Sequence, residues 1–470
     1  MPNIANKNGI DMGNIASMNG QDVASSGGAY NPADDSGTYT ETVPTSGLIK
    51  TGGQNIGFSS ASSGGKTDSS KNEVGFCLGT TVNQQFQSDK DGRFMKLAET
   101  LPGGLARPVK VIEFGAFGTN GSNWIIDANN KLWRVSTSSS WGGTGADRRT
   151  WNQITGTGDS DTGWTKVSSG ALDTLAINSG KLYYMGNNSN GAFGIGSTSS
   201  QYSSFAQVGS DSDWTDVINH YGQSIALKGG AVYTAGNNSS WGWNTGTDTS
   251  SGNVTTWTSI DTTNLHGGSN SNFIKIFSSS YWAGAIQETT SGDGYGKLFC
   301  WGKVNKNCNG KPSQNGTWDS AIPVQCGFVN GAGSTAADWV DLAPFYNHSL
   351  AINSSGQLFS AGEAGQYQGL SSTTTDREEG YVQVGSDTDW SDCNVQISQW
   401  VSHTYGAFAR KTNGNIYFTG WNNGHIIDQG TASFQYSSPT VVGTAAASYG
   451  WHVTSDSSGG GSQILVTDVA

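Results

Sequence analysis

WTKVSSGALDTLAINSGKLYYMGNNSNGAFGIG, residues 164–196, decides how this chain is expected to fold. An aromatic opens it, an apolar run follows with Ala at a set place, and a Gly turn leads into a second run that ends in Gly. Short runs with period-two alternation, bounded by Gly, Ser and Asn, read as antiparallel strands joined by tight turns. The pattern returns as SIALKGGAVYTAG (224–236), AGAIQETTSGDGYGKLFCWG (283–302), SLAINSSGQLFSAG (349–362) and AFARKTNGNIYFTG (407–420). An earlier copy, NWIIDANNKLWRVS (123–136), has Ser136 where the others have Gly. Trp164, Trp214, Phe273, Trp339 and Trp390 open successive copies, at intervals of 50, 59, 66 and 51 residues.

Each copy supplies two strands, and flanking segments such as WTKV ahead and FAQVG behind add two more. Four short strands in a period of this length fit the blade of a β-propeller, and the alternation excludes helical solenoids. The opening Trp is expected to start the blade's first strand and pack between blades, where burying a large aromatic stabilises by about 2–3 kcal/mol. In three copies an acidic turn precedes it: GDSDTGW (158–164), GSDSDW (209–214) and GSDTDW (385–390). Ser and Asp suit a blade-to-blade turn because their side chains bond nearby backbone amides. Calcium is the rival reading, but the glycine-bearing DxDxDG loop is absent, and Asp89-Lys90-Asp91-Gly92 is only a fragment of one.

Composition agrees. Among 470 residues there are 68 Gly and 17 Trp, with 13% charged residues and a net charge of -12, so an all-β chain is expected. The negative balance and the lack of Lys/Arg clusters argue against nucleic acid as a partner. No apolar run reaches the roughly 18–20 residues of a membrane helix, so no membrane insertion is expected. MPNIANKNGIDMGNIASMNGQDV lacks the basic and apolar regions of a secretory signal. The five cysteines (Cys77, Cys300, Cys308, Cys326, Cys393) form no CxxC pair. Three lie between 300 and 326, where one local disulfide and isolated buried thiols are both open. No metal or cofactor is expected.

The run W-x-x-V, then LAI, then G-x-LY-x-x-G-x-N-x-x-G-x-x-G-x-G, complete in 164–196, resembles the regulator-of-chromosome-condensation repeat. GNNSSWGWNTG (236–246), GEAGQYQGL (362–370) and GWNNGHIIDQG (420–430) are degenerate versions. Residues 105–446 hold six such repeats. The fourth departs most, with GKVNKNCNGKPSQNG (302–316) in place of the glycine-rich turn, which puts its outer loops in doubt. The resemblance implies a seven-bladed β-propeller closed by strands from both chain ends. EVGFCLGTTV (73–82) and RFMKLAE (93–99) would pair with ASYGWHVT (447–454) and SQILVTDVA (462–470) as a composite blade. Closure of that kind removes an exposed sheet edge. The propeller domain is therefore expected at 73–470.

Residues 1–72 lie outside it, rich in Gly, Ser, Asn and Asp, and are expected to form an extended arm that a partner orders. NIANKNGID (3–11) and NIASMNGQD (14–22) are near-repeats that resemble N-terminal repeats of tailed-bacteriophage virion proteins. On that reading Ile4, Ile10, Ile15, Met18 and Val23 are the assembly anchor, with other virion proteins as partners. An arm folded back on its own propeller is the alternative.

The six histidines are scattered, and HExxH, GxSxG and Walker patterns are absent. His348 takes the place of Asp173 and Gln223 in other copies, a position near the propeller channel in the family, and is expected to be structural. Glu378-Glu379 or Asp387 with Asp389 could serve glycoside hydrolysis, but they fall in surface turns. The family's best-known member, a nucleotide exchange factor on chromatin, is a poor guide for so acidic a chain. Other relatives bind through the loops of one face. Trp141, Trp241, Trp243, Trp400 and Tyr405 sit in Ser-, Gly- and Asn-bearing tracts suited to binding protein or sugar.

The expectation is a noncatalytic virion component in capsid decoration, tail or fibre, anchored by its arm and displaying a face for host-surface protein or glycan. Self-association into a homo-oligomer is compatible with it. A free extracellular binding module or inhibitor is second, and a polysaccharide-degrading enzyme third.

Overall fold

A computed structural model gives the fold. It describes residues 106, 110–114, 122–136, 152–157, 160–170, 173–198, 201–220, 222–238, 246, 252–279, 282–305, 307–311, 317–329, 338–344, 348–362, 377–393, 406–423 and 433–444. Outside these it describes only the strand backbone at 17–18, 21–22, 49–51, 54–56, 75–78, 85–88, 94–98, 453–454 and 464–465. Among the described residues the one helical element is a 3-10 turn at His266–Gly268.

Six repeats become six four-stranded antiparallel units. Sheet 1 runs Val111–Phe114, Ser122–Ile126, Leu132–Ser136, Asn152–Gln153. Sheet 2 runs Trp164–Ser169, Asp173–Asn178, Lys181–Asn187, Gln201–Gln207. Sheet 3 runs Trp214–His220, Gln223–Lys228, Ala231–Gly236, Val254–Ser259. Sheet 4 runs Phe273–Ser278, Trp282–Glu288, Gly296–Asn305, Thr317–Cys326. Sheet 5 runs Trp339–Pro344, His348–Asn353, Leu358–Gly362, Arg377–Gln383. Sheet 6 runs Trp390–Cys393, Gly406–Lys411, Asn415–Asn423, Ser433–Thr444. A single residue pair, Gly296 with Trp339, joins sheets 4 and 5 at one edge.

The first strands of successive sheets lie side by side, from sheet 1 through sheet 6. They form the inner wall, and each later strand steps outward.

The set place of Ala is explained by register. Ala176, Ala226, Ala285, Ala351 and Ala409 each sit mid-sheet between a first-strand Val, Ile, Leu or Cys and a third-strand aromatic. For Ala176 these neighbours are Val167 and Tyr183; for Ala351 they are Leu342 and Phe359. A methyl group leaves room for the rings that fill the gap between sheets. In sheet 1 Ile125 takes that place opposite Trp133.

Two irregularities recur with the motif. In sheets 2 to 6 the register shifts just after the opening aromatic, between Trp164 and Lys166, for example, or Phe273 and Lys275. It shifts again before the Gly that closes the repeated run in the third strand. These are β-bulges, which re-aim side chains. Gly236 at the second one has φ of +110°, and a Cβ there would meet the Gly222 carbonyl oxygen, so glycine is required by both conformation and space.

The opening Trp residues pack between sheets as expected. Trp164 joins Trp124, Ile126 and Leu132 of sheet 1 to Tyr183 and Phe205 of sheet 2. Trp214 joins Tyr184, Phe193 and Val208 of sheet 2 to Val217 and Ala226 of sheet 3.

The fourth copy, whose outer loops its sequence put in doubt, keeps the turn form in its described part, residues 307–311. In sheet 2 the turn after the third strand closes with Gly191 donating to the Asn188 carbonyl (2.9 Å), and in sheet 4 Gly310 donates to the Asn307 carbonyl (2.9 Å). Each turn then lies on the outer strand of the next sheet. Trp257 Nε1 donates to the Phe193 carbonyl (3.1 Å), and a Cβ at Gly194 would meet the Trp257 ring. A Cβ at Gly310 would meet the Tyr381 ring. The Asn-x-x-Gly spacing is the surviving signal in 307–310.

Three strands, Gly75–Leu78, Gln85–Ser88 and Phe94–Ala98, form another sheet, and Val453–Thr454 pairs with Ile464–Leu465. The strand at Gln85–Ser88 is an addition to the pattern expected from sequence.

Candidate functional site

Two regions concentrate charged and polar side chains: the seam between first strands, and the connections from one sheet to the next. The seam position two residues after the opening aromatic reads Lys166, Asp216, Lys275, Asp341 and Asp392 in sheets 2 to 6, with Val111 in register in sheet 1. Lys166 bridges to Asp216 across sheets 2 and 3 at 2.7 Å, and Lys275 to Asp341 across sheets 4 and 5. Asp392 instead pairs within sheet 6, accepting from Arg410 Nη2 at 2.9 Å. Burial would lower the Lys275 pKa, but the Asp341 carboxylate outweighs it and the net direction is up.

Backbone donors are captured across the same seam. Glu113 Oε1 accepts from the Ser169 amide (2.9 Å), Ser168 Oγ from the Asn219 amide (3.0 Å), and Asp341 Oδ2 from the Cys393 amide (3.0 Å). Each of these acceptors takes an N–H from the next sheet, one register step along, so the seam is stitched in one direction. Carboxylates that accept backbone N–H groups are stabilised in place.

On the connector face the recurrent acidic turn finds its partner. The residue opposite the opening aromatic is Lys228 in sheet 3 and Lys411 in sheet 6, the two copies with GSDSDW and GSDTDW. Lys228 Nζ bonds Asp211 (2.8 Å) and lies 5.2 Å from the Trp214 ring centre and 4.6 Å from that of Tyr233. Lys411 Nζ bonds Asp387 (2.7 Å) and Asp389 (2.8 Å), at 4.9 Å from Trp390 and 5.2 Å from Tyr417. The Asp211 hydrogen bond raises the Lys228 pKa against partial burial; at Lys411 burial lowers it, and Asp387 and Asp389 raise it further. Where the opening turn differs, so does this residue: Asn178 donates to the Ser160 carbonyl (2.6 Å), and Gln287 Nε2 to the carbonyls of Ser269 and Ser271. Sequence reading overlooked this position, although the Lys ending IALK and the ARK tract marked it.

The Lys411 arrangement has a measurable consequence. Lys411→Met keeps the packed stem and removes the charge, and is expected to lower stability by about 1–2 kcal/mol in chemical denaturation, combining a partly desolvated cation–π contact with two ion pairs. Asp387→Asn should take away less than half of that, because its carboxylate is the solvated end.

His348 opens the second strand of sheet 5 opposite Gly362, as Asp173 faces Gly186 and Gln223 faces Gly236. It is 3% exposed, and burial lowers its pKa to about 3, so the imidazole is neutral. Asp387 and Asp389, weighed as an acid pair, are both held by Lys411.

The anchor side chains at Ile4, Ile10, Ile15, Met18 and Val23, and the aromatics Trp141, Trp241, Trp243, Trp400 and Tyr405, lie outside the described side chains. Trp141, Trp241 and Trp243 belong to connections between third and fourth strands, and Trp400 and Tyr405 to one between first and second strands. In an antiparallel blade both kinds of connection leave from the same end of the sheet.

Solved structures with this arrangement share 13 to 16% sequence identity with the chain, so the likeness is one of fold. Human WBSCR16 aligns with a TM-score of 0.55 and 16% identity, over 80% of this chain and 94% of that one. Yeast RCC1 (Prp20), solved with Kap60, aligns at 0.54 and 13%, over 80% and 84%. Prp20p from Saccharomyces cerevisiae, solved in a study of its binding to Gsp1p and histones, aligns at 0.51 and 13%, over 83% and 88%. The fold is an RCC1-like β-propeller. The sequence matches no family model and no curated protein. The six sheets are thus propeller blades, and the seam of Lys166, Asp216, Lys275 and Asp341 runs along their neighbouring first strands.

Proposed function

We propose that this chain is a noncatalytic binding propeller, fixed by residues 1–72 to a large assembly, in the first instance the particle of a tailed bacteriophage. One observation carries the noncatalytic part: the charged groups of the seam and connectors named above are engaged in ion pairs or backbone hydrogen bonds, either between blades or within one. Glu113 and Asp341 hold neighbouring backbone, and Asp387 and Asp389 hold Lys411. Binding is then left to the connections at the blade end that carries Trp141, Trp241, Trp243, Trp400 and Tyr405. Prp20, which shares the fold, was solved with Kap60 and studied with Gsp1p and histones, which favours a protein as the partner class here. A host-surface glycan suits the same aromatics.

The ring closes, on this reading, through a seventh blade built from both ends, 73–99 with 447–470. Its support is that Ile464–Leu465 approaches Gly75–Leu78 to within 8 Å between Cα atoms. The virion assignment is supported by the near-repeats at 3–22 and the coreless composition of 1–72.

A second reading has its own observation. Gln54–Ile56 approaches Ser433–Thr444 of blade 6 to within 8 Å, which favours an arm folded on its own propeller and a free extracellular binder or inhibitor. Density-gradient sedimentation of particles from the source culture, read by peptide mass spectrometry, separates the two. The chain is expected to band with particles in stoichiometric amount, and a chain lacking residues 1–72 to fold but stay in the soluble fractions. Full-length chain found only in soluble fractions would overturn the virion reading and leave the free binder.

A further inference from the structure

The structure assigns a modification site to blade 4. We propose that Cys300 and Cys326 form a disulfide between its third and fourth strands when the chain folds in an oxidising environment. Their Sγ atoms lie 2.6 Å apart. The register explains the approach: Cys300 faces Val324 and Leu298 faces Cys326, so the two cysteines are diagonal neighbours on one side of an adjacent strand pair. The bulge between Cys300 and Gly302 falls at the same point.

The surroundings favour a cross-link over two separate thiols. Both cysteines are fully buried in an apolar cluster with Trp282, Leu298, Trp339 and Tyr381. Besides the other sulfur, the Cys326 thiol meets the Leu298 carbonyl, at a long 3.6 Å. Burial pushes the Cys300 thiol well up, so thiolate exchange is suppressed once the blade has closed. The bond therefore forms while the strands are still open, and the closed blade shields it from reductant. Its position has a purpose in the fold. Residues 300–326 contain the stretch, 302–316, that stands in place of the glycine-rich sequence of the other copies, and the paired strands flanking it are each ten residues long. A bond across them constrains that longer excursion in the unfolded chain.

The oxidant is a small-molecule disulfide. One cysteine thiolate attacks it to give a mixed disulfide and one free small thiol, and the second cysteine displaces the other small thiol. Two protons and two electrons leave the protein, and the small disulfide is reduced to two thiols.

The test uses the whole chain, reduced and denatured, then refolded with oxidised and reduced glutathione, quenched in acid, unfolded and alkylated. Of the five cysteines, three are expected to be alkylated before reduction and five after it, with one linked peptide pair joining Cys300 to Cys326. Cys308, a third buried thiol of the same cluster, provides the control. Cys308→Ala should leave the linked pair intact. Alkylation of all five cysteines without reduction, or a linked pair that uses Cys308, would overturn the assignment. The outcome is independent of where the protein resides, so it is separable from the virion reading.

Discussion

Trp164→Ala is expected to lower the unfolding free energy by about 4 kcal/mol, in the range for deleting a fully buried Trp. The ring is 0% exposed and wedges blade 1 against blade 2, with Phe205 at 5.3 Å and Tyr183 at 5.7 Å between ring centres. Removing it leaves a void bounded by two rigid sheets, which have little freedom to collapse into it. Trp164→Phe is expected to be mild, at about 1 kcal/mol by the same reckoning. The Trp164 Nε1 is buried without an acceptor among the described residues, so Phe loses area but also removes an unpaired donor. Phe273 already opens blade 4 in the equivalent place. Trp339→Phe should be harsher than Trp164→Phe, because Trp339 Nε1 donates to the Gly327 carbonyl at 3.2 Å. Urea or guanidinium titration of the three variants checks the order. Equal losses for the two Phe variants would show that the indole N–H is energetically silent in both.

The second large effect is acid sensitivity at one side chain. His348 has a folded pKa of about 3 against about 6.5 in the unfolded chain. Above about pH 6.5 neither state is protonated there, and the group contributes no pH dependence. Between about pH 6.5 and 3 the unfolded state takes up the proton and the folded state does not, so stability falls with pH. Over the roughly 1.5 units from pH 6.5 to 5, at about 1.4 kcal/mol each, the loss is about 2 kcal/mol, and it keeps growing until about pH 3. His348→Gln removes this dependence, and Gln223 shows that the position accepts glutamine in another blade. The variant should therefore gain about 2 kcal/mol on the native chain between about pH 7 and pH 5, whatever the carboxylates do in both. A stability difference between the two chains that stays constant over that interval would mean the imidazole titrates normally.

Both expectations start from positions that stand out in the residue pattern itself. The aromatics that open each copy, the alanine at the middle of the second strand and the terminal glycine recur because each blade solves the same packing problem. The ring needs a small neighbour, and the bulge needs a positive φ. The asymmetry of residue types at one aligned position is legible in the same way, with Lys228 and Lys411 set against Asn178 and Gln287. Lysine stands there in the two copies where GSDSDW or GSDTDW precedes it.

Residue order alone carries the all-β class, the six four-stranded repeats from 105 to 446, and their opening Trp or Phe packing between blades. These rest on alternation, glycine placement and local turns, which act over fewer residues than one repeat. The seam is different in kind. Lys166 meets Asp216, Glu113 meets the Ser169 amide, and Asp341 meets the Cys393 amide because curvature brings first strands of successive blades together about 50 residues apart in the chain. The same holds for Cys300 and Cys326, whose spacing leaves several pairings open until the register of two long strands sets their sulfurs face to face. Short-range patterning specifies each blade; which side chains touch across blades depends on how the sheets curve around the axis, and no local pattern records that angle.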